Sequence, residues 1–266
     1  MRHTLSLPFV AGALAFGLIS TAYAGPYAPA AGKAGSTALS MDSASIVQWA
    51  TSYQDYLPGT GVDATWMTPE KALGHAVGDS FDVVTLGNGG RITLGFDGFI
   101  ANGAGADFAV FENSFSDTFL ELAWVEVSSN GADFFRLPNA SLTPAAVGGF
   151  GNINPTNIDG LAGKYRQGFG TQFDLNPLAG TAGLDVNKVK YVRIVDVIGN
   201  GQSVDTAGRV IYDPYPSTGS AGFDLDAIGV INVAVAPVPE PATWLLTALG
   251  LALMGYAARK NSHQNA

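Results

Sequence analysis

The chain has 266 residues, no cysteine, three histidines and a formal net charge of −9 at pH 7. The negative charge argues against nucleic acid as a partner, and the lack of cysteine excludes disulfides and thiolate metal sites. Only His75 lies between the two terminal apolar segments, which also disfavours Ser-His-Asp triads and histidine-based zinc sites.

The first 24 residues have the pattern of a secretory signal peptide. A basic start precedes the apolar stretch Leu5–Ile19, and Ala22-Tyr23-Ala24 supplies the small-x-small pattern that a signal peptidase needs. We therefore predict a signal peptide over residues 1–24, cleavage between Ala24 and Gly25, and export of the chain.

The segment after the signal peptide introduces the folded part of the chain. Residues 25–40 are rich in Ala, Gly and Pro, which predicts a flexible lead-in. A single β-sandwich domain is expected over residues 41–236. At its start, the apolar residues between Ile46 and Tyr53 fall near helical spacing before Pro58-Gly59. One short helix or a turn-rich edge is expected there.

Seven short runs of β-branched and aromatic residues then predict strands. They are Phe81–Leu86, Arg91–Phe96, Asp107–Glu112, Leu120–Ser128, Phe134–Leu137, Lys190–Val197 and Ala227–Val235. Asn88-Gly89-Gly90 and Asn130-Gly131 predict hairpin turns, because these residues adopt positive φ at low cost. The pattern predicts an all-β, antiparallel β-sandwich with long Gly-, Asn- and Asp-rich loops over residues 148–181 and 199–222.

Two acidic segments contain candidate metal ligands. Asp107 and Glu112 bracket an apolar strand, while Asp224 and Asp226 are two residues apart and so share one face of an extended segment. Calcium accepts several carboxylate oxygens in irregular geometry and needs neither His nor Cys, so we predict these four residues as ligands of a structural calcium. Two alternatives stay open: Asp107 and Glu112 mark the solvated ends of a strand, or backbone amides or Arg193 neutralise the second pair.

Four aromatic residues are candidate ligand-binding residues: Trp124, Tyr165, Tyr212 and Tyr215. An aromatic face offers the apolar surface that the C–H face of a pyranose prefers, so these side chains are candidates for a sugar-stacking platform. The alternative is that they fill the core or fix loops.

A two-carboxylate glycosidase is a further alternative. Glu112, Glu121 and Glu126 are available for the acid and nucleophile roles. No nucleophile motif of the common hydrolase families is present, so we expect the protein not to be an enzyme.

The C-terminal segment combines a proline-rich motif with an apolar run. Val238, Pro239, Glu240 and Pro241 lie in a linker over residues 237–241, which is followed by an apolar run over residues 242–258 and a basic tail over residues 259–266. The run is about the shortest that spans a bilayer as a helix, and the basic residues behind it are held on the cytoplasmic side. We therefore predict one C-terminal transmembrane helix.

This order of Pro-Glu-Pro, apolar helix and basic end resembles the PEP-CTERM sorting signal of Gram-negative surface proteins. The resemblance implies that an exosortase recognises the tail in the inner membrane and removes it. It also implies that the protein then reaches the cell surface or the extracellular matrix.

Parts of the body resemble galactose-binding-like jelly rolls of bacterial surface proteins. The segments that carry this resemblance are Thr65–Gly74, the Gly-rich turn, Asp107–Asn113 and Phe223–Val230. It implies a β-sandwich of jelly-roll type and a structural calcium on Asp226, with Asp224 or Asp63 as companions.

The segments Asp159–Tyr165 and Ile211–Pro216 resemble a set of uncharacterised exported bacterial proteins, which have no assigned activity. The sequence thus predicts an exported, non-catalytic surface or matrix protein that binds polysaccharide or another surface component. Two alternatives remain at this point, a purely structural matrix protein and a polysaccharide hydrolase.

Overall fold

The computed structural model describes residues 25–234 together with Thr247, Leu251 and Met254. The predicted signal peptide and the Val238–Pro241 motif lie outside the described residues, as does nearly all of the predicted span over residues 242–258. Within the described part of the chain, no helix has the length and hydropathy needed to cross a bilayer.

The described residues form thirteen strands and four short 3-10 helices. The strands are β1 Leu39–Ser40, β2 Gln48–Trp49, β3 Ser52–Leu57, β4 Val84–Thr85, β5 Arg91–Ile100, β6 Phe108–Glu112, β7 Ala123–Ser128, β8 Phe135–Arg136, β9 Ala140–Ser141, β10 Ile158–Asp159, β11 Phe169–Phe173, β12 Val189–Asp196 and β13 Asp224–Val230. The 3-10 helices are Ala64–Trp66, Pro69–Ala72, Pro155–Asn157 and Asn176–Leu178.

Two antiparallel sheets contain most of the strands. One has the order β1-β11-β6-β13-β2, with β4 also paired to β13, and the other has the order β3-β5-β12-β7-β8. Side chains from both sheets share one buried core, which includes Leu94 of β5, Val110 of β6, Ile194 of β12 and Ile228 of β13. The predicted sandwich-like, antiparallel all-β fold is confirmed at this level.

The strands β6 and β13 are buried on both faces, as is typical of central strands with continuous apolar sequence. Phe108 and Val110 face the main core, whereas Ala109 and Phe111 face a second cluster that includes Trp49. Acidic residues at the ends of such strands are therefore carried into the interior of the protein.

The short helix considered between Ile46 and Tyr53 does not form. Trp49 of β2 pairs with Gly229 of β13, and Ser52 of β3 pairs with Gly95 of β5. The two edge strands satisfy backbone groups through the sheets, and Trp49 packs against Phe111 with ring centroids 5.4 Å apart. Tertiary pairing therefore overrides the helical spacing.

One of the two predicted hairpins is confirmed and the other is wrong. Asn130-Gly131 joins β7 to β8, in which Glu126 pairs with Arg136. The Asn88-Gly89-Gly90 turn forms, but β4 pairs with β13 whereas β5 pairs with β3 and β12. The turn residues reverse the direction of the chain between β4 and β5. The two strands nevertheless belong to different sheets, and packing within each sheet determines their pairing partners.

The long loop over residues 148–181 contains a strand that the sequence did not indicate. β11 pairs with β6 in the core sheet, where Thr171 is opposite Val110. Its Gly- and Thr-containing sequence has a weak strand pattern, and β6 supplies the pairing that defines it. Residues 25–40 also contact the domain, because β1 pairs with β11 and the Tyr27 amide donates to the Thr156 carbonyl oxygen at 3.1 Å.

Candidate functional site: an aromatic pocket with an acidic floor

A pocket of about 320 Å³ opens where several loops meet at the end of β6 and the start of β13. Five aromatic side chains line it, namely Trp66, Phe81, Phe115, Phe119 and Phe150. Seven side chains with polar groups also line it: Asn113, Glu121 and Asp224, together with the hydroxyl-bearing Ser80, Ser217, Thr218 and Ser220. We call this site the aromatic pocket.

The aromatic side chains of the pocket are unusually exposed. Phe81 is 70% exposed, Phe115 65% and Phe150 90%, and they are the three most exposed aromatic side chains among the described residues. Their rings stack with neighbours, because the Phe115 and Phe119 centroids are 4.8 Å apart and those of Phe119 and Phe150 are 6.0 Å apart. A cluster of exposed apolar rings around one concave site indicates a binding surface.

The floor of the pocket contains the carboxyl groups of Glu121 and Asp224. Asp224 begins β13 and accepts hydrogen bonds from the Thr85 hydroxyl and, at 3.2 Å, from the Asn113 side-chain amide. Glu121 is only 4% exposed, and among the described residues no donor is hydrogen-bonded to its carboxyl. The pocket therefore contains one anchored carboxyl and one unpartnered carboxyl.

Local packing directs Glu121 into the pocket. Its neighbours Leu120 and Leu122 are fully buried in a separate apolar cluster, so the intervening side chain is held away from that cluster. Residues 113–122 are tied down by the Ser114 amide, which donates to Glu112 Oε2 at 2.9 Å, and by the Phe119 amide, which donates to Ser116 Oγ at 2.8 Å. These hydrogen bonds fix the segment that carries the Phe115 and Phe119 rings of the aromatic wall together with the Glu121 carboxyl.

Five buried carboxyl groups lie close enough to interact electrostatically beneath the pocket, and we call them the acidic cluster. Its members are Glu112, Glu121, Asp196, Asp213 and Asp224. None of the ion pairs formed by the described residues includes a member of this cluster. When these carboxyls are ionised, no basic side chain in contact with them offsets their negative charge.

Backbone amides compensate part of this charge. The Asp196 carboxylate accepts from the amides of Gly89 at 2.7 Å and Phe223 at 2.8 Å, and Asp213 accepts from the Leu122 amide at 2.7 Å. Glu112 Oε1 is buried without a hydrogen-bond partner in the described residues. Such an unpartnered buried oxygen is costly if it is charged.

The acidic cluster has pKa values above those of ordinary carboxyl groups. Burial is the largest cause in every case: it raises the pKa values of Asp196 and Asp224 to about 7 and those of Glu112, Glu121 and Asp213 well above their usual range. Repulsion from the other four carboxyls raises the pKa of Glu121 further, with Asp224 as the strongest contributor. Near neutral pH the cluster therefore retains protons.

The structure separates the four predicted calcium ligands. Asp107 and Glu112 lie at opposite ends of β6, and Asp107 accepts from the amides of Gly103 and Leu175, both at 2.7 Å. Asp226 accepts from the amides of Val77 and Gly78, both at 2.9 Å. Glu112 and Asp224 belong to the acidic cluster, and Asp226 interacts electrostatically with Glu112, whereas Asp107 lies apart from them. Within residues 25–234, no group of three His, Asp or Glu side chains is placed to hold a metal ion, so calcium stays a prediction.

The four predicted sugar-stacking residues lie outside the aromatic pocket. Tyr165 is 2% exposed and its hydroxyl is hydrogen-bonded to that of Thr37 at 2.8 Å. Trp124 lines a second pocket of about 270 Å³ and is covered by Arg136, whose guanidinium lies 4.1 Å from the ring centroid. Tyr212 packs against a buried cluster, whereas Tyr215 is 37% exposed.

The three glutamates considered for a hydrolase also separate. Glu112 and Glu121 belong to the acidic cluster, whereas Glu126 lies on β7 and pairs with Arg136 at 2.8 Å.

The aromatic residues of the pocket were not identified from the sequence. A usable signal was present, since Phe115 and Phe119 occur in a short polar segment directly before Glu121, and large aromatics in such loops often contribute to binding.

Comparison with known proteins assigns the C-terminal segment. A family model described as the PEP-CTERM protein-sorting motif matches residues 237–261. No curated protein and no solved structure matches the chain, so the resemblance of the body to jelly rolls and to exported proteins is not supported by these comparisons. The chain therefore carries a PEP-CTERM protein-sorting motif, which implies export, a membrane-anchored sorting signal and processing by an exosortase.

Proposed function

We propose that this exported protein is sorted to the cell surface or matrix and binds a polysaccharide there, without catalysis, in the aromatic pocket of a jelly-roll-type domain. The observation that carries the proposal is the convergence of the three most exposed aromatic side chains among the described residues, Phe81, Phe115 and Phe150, on one pocket. Exposed rings of this kind are unfavourable in water unless a ligand covers them.

The pocket offers the two kinds of contact that a sugar ring requires. The ring faces provide apolar surface for pyranose C–H groups, while Glu121, Asp224 and Asn113 provide polar groups for the hydroxyls. A volume of about 320 Å³ is in the range of small-molecule sites and suits a short stretch of a glycan.

The test is a glycan array followed by calorimetric titration, using the full chain in mild detergent. Phe150→Ala is expected to weaken binding about tenfold, or about 1.4 kcal/mol, with little change in Tm because this side chain is 90% exposed. Tyr53→Ala is the matched control, since Tyr53 is an aromatic residue 42% exposed on the edge strand β3, outside the pocket. If no glycan binds, or if Phe150→Ala and Tyr53→Ala change the glycan affinity equally, the proposal fails and a purely structural matrix protein is favoured.

A polysaccharide hydrolase is the second candidate. It is favoured by the adjacent carboxyls of Glu121 and Asp224, whose raised pKa values are typical of groups that donate protons near neutral pH. Release of reducing ends in the same incubations, abolished in Glu121→Gln and Asp224→Asn, would establish it. Binding without such release would leave the non-catalytic proposal in place.

A further inference from the structure

The charge of the aromatic pocket restricts the ligands that it can accept. Among the described residues, its lining includes the carboxyls of Glu121 and Asp224 and no Lys, Arg or His side chain. The remaining members of the acidic cluster lie beneath this floor and interact electrostatically with Glu121. A ligand with a positive group would favour the ionised form of these carboxyls and lower their pKa values, whereas a ligand with acidic groups would find no basic partner in this lining.

The Glu121 carboxyl has the features of a ligand-binding group. It is 4% exposed, it lines the pocket, and no described residue donates a hydrogen bond to it. Asp107 is satisfied by the Gly103 and Leu175 amides, and Glu112, whose Oε1 also lacks a partner among the described residues, does not line the pocket. A buried polar group without a partner is unfavourable, so a donor from outside the chain would stabilise Glu121 in particular.

The aromatic wall determines which kind of cation fits. An ammonium group presents three hydrogen-bond donors to carboxyl oxygens and is attracted to the faces of aromatic rings such as Trp66 and Phe81. Calcium instead requires six to eight oxygen ligands, and among the described residues no group of three His, Asp or Glu side chains is placed to hold a metal ion. The combination of apolar rings and acidic floor suits an organic cation with a partly apolar ring.

We propose that the aromatic pocket recognises a non-acetylated amino sugar, with the ammonium group of the ligand on the Glu121 and Asp224 carboxyls and its sugar ring against the aromatic wall. The inference rests on the proposed function, because it names the class of polysaccharide that this same pocket would bind. The free amino group of a deacetylated hexosamine unit distinguishes this inference from the binding of a neutral glycan.

The experiment compares two probes of equal length, a glucosamine hexamer and an N-acetylglucosamine hexamer, by calorimetric titration of the full chain in mild detergent. The two differ in charge and in the acetyl group, and the pocket is expected to bind the glucosamine hexamer at least tenfold more tightly. Glu121→Gln is expected to remove most of this preference. Glu70→Gln is the matched control for non-specific attraction to an acidic protein, because Glu70 is exposed and outside the pocket lining.

The outcomes separate this inference from the function on which it rests. If the acetylated hexamer or a neutral glycan binds equally well and Phe150→Ala weakens that binding, the pocket is a glycan site but the amino-sugar inference is overturned. If no glycan binds, both fail. Equal losses of affinity for the glucosamine hexamer in Glu121→Gln and Glu70→Gln would show non-specific attraction and also overturn the inference. Displacement of the glucosamine hexamer by millimolar calcium, with a rise in Tm by calcium alone, would identify a metal site instead.

Discussion

Gly163 fixes the position of the Glu121 backbone, and its lack of a side chain is what permits the contact. Its φ is +82°, and a Cβ at this position would lie 1.8 Å from the Glu121 carbonyl oxygen. The adjacent Ala162 pairs with Ala123, so residue 163 is held against the segment that forms the floor of the pocket. Glycine is therefore required here for close approach as well as for conformation.

We expect Gly163→Ala to destabilise the protein by about 3 kcal/mol or more, because the steric overlap with Glu121 adds to the backbone strain of about 1 kcal/mol. Gly180→Ala is the matched control, since Gly180 has φ +80° and no atom of the described residues lies within 4 Å of the place that its Cβ would take. Urea unfolding of both variants checks the difference. Equal losses of unfolding free energy would show that the contact with Glu121 contributes nothing.

At the scale of the elements, Asp107 joins the ends of three strands. Its amide donates to the Phe173 carbonyl oxygen at the end of β11, and its carbonyl oxygen accepts from the Ile231 amide just after β13. Its carboxylate accepts from the Gly103 and Leu175 amides and from the Asn232 side-chain amide. This carboxylate therefore has a structural role at the end of β6 remote from the pocket.

We expect Asp107→Ala to reduce the unfolding free energy by about 3 kcal/mol or more, because it leaves three donors without their charged acceptor. Asp97→Ala is the control, since Asp97 is exposed and its carboxylate accepts only from the Thr51 hydroxyl at 3.0 Å among the described residues. That variant is expected to lose less than about 1 kcal/mol. Denaturant unfolding compares the two, and a small effect of Asp107→Ala would contradict the structural role.

At the scale of the whole molecule, the acidic cluster makes stability depend on pH. The folded-state pKa values of Asp196 and Asp224 are about 7, and that of Asp226 is about 6, whereas unfolded carboxyls titrate near pH 4. Between these values the folded state binds more protons than the unfolded state. Stability therefore decreases as pH rises through this window and increases as pH falls from 8 to 5.

The expected result is a Tm higher by roughly 5 °C or more at pH 5 than at pH 8, since each unit of pKa difference corresponds to about 1.4 kcal/mol. Asp79 and Asp205 act in the opposite direction below about pH 4, because backbone amides and Arg209 lower their pKa values. Thermal unfolding across pH checks this. Asp224→Asn should flatten the dependence, and an unchanged slope in that variant would exclude Asp224 as a source.

Sequence reasoning succeeded where the signal is local. The Pro239-Glu240-Pro241 motif and the run behind it form a linear pattern, and the comparison at residues 237–261 confirms the assignment. The Asn130-Gly131 hairpin is likewise determined by two residues that accept the required turn. The all-β class follows from short β-branched runs separated by turns, and the two antiparallel sheets confirm it.

Local spacing does not predict which residues meet when the partners are distant in the chain, and the calcium and sugar sites stay predictions. The four proposed calcium ligands were grouped by local spacing, but Asp107 and Glu112 are separated by the length of β6. The pairing of β13 with β6 is irregular between Leu225 and Ala227. The two carboxylates of β13 have different partners: Asp224 accepts from the side chains of Thr85 and Asn113, and Asp226 accepts from two backbone amides. Of the predicted stacking residues, Tyr165 is buried and Tyr212 packs against a buried cluster, whereas Trp124 lines the second pocket and Tyr215 is 37% exposed.

The sequence by itself determined the C-terminal sorting motif of the protein and its all-β character, because hydropathy, charge and turn residues act over short stretches of chain. Only the tertiary structure decided which carboxyls meet, since the pairing of β6 with β13 brings Glu112 close to Asp224, and Glu121 joins them from the segment before β7. It also gathered Trp66, Phe81, Phe115 and Phe150 around one pocket. Sheet order and loop packing are long-range properties, and no local pattern encodes them.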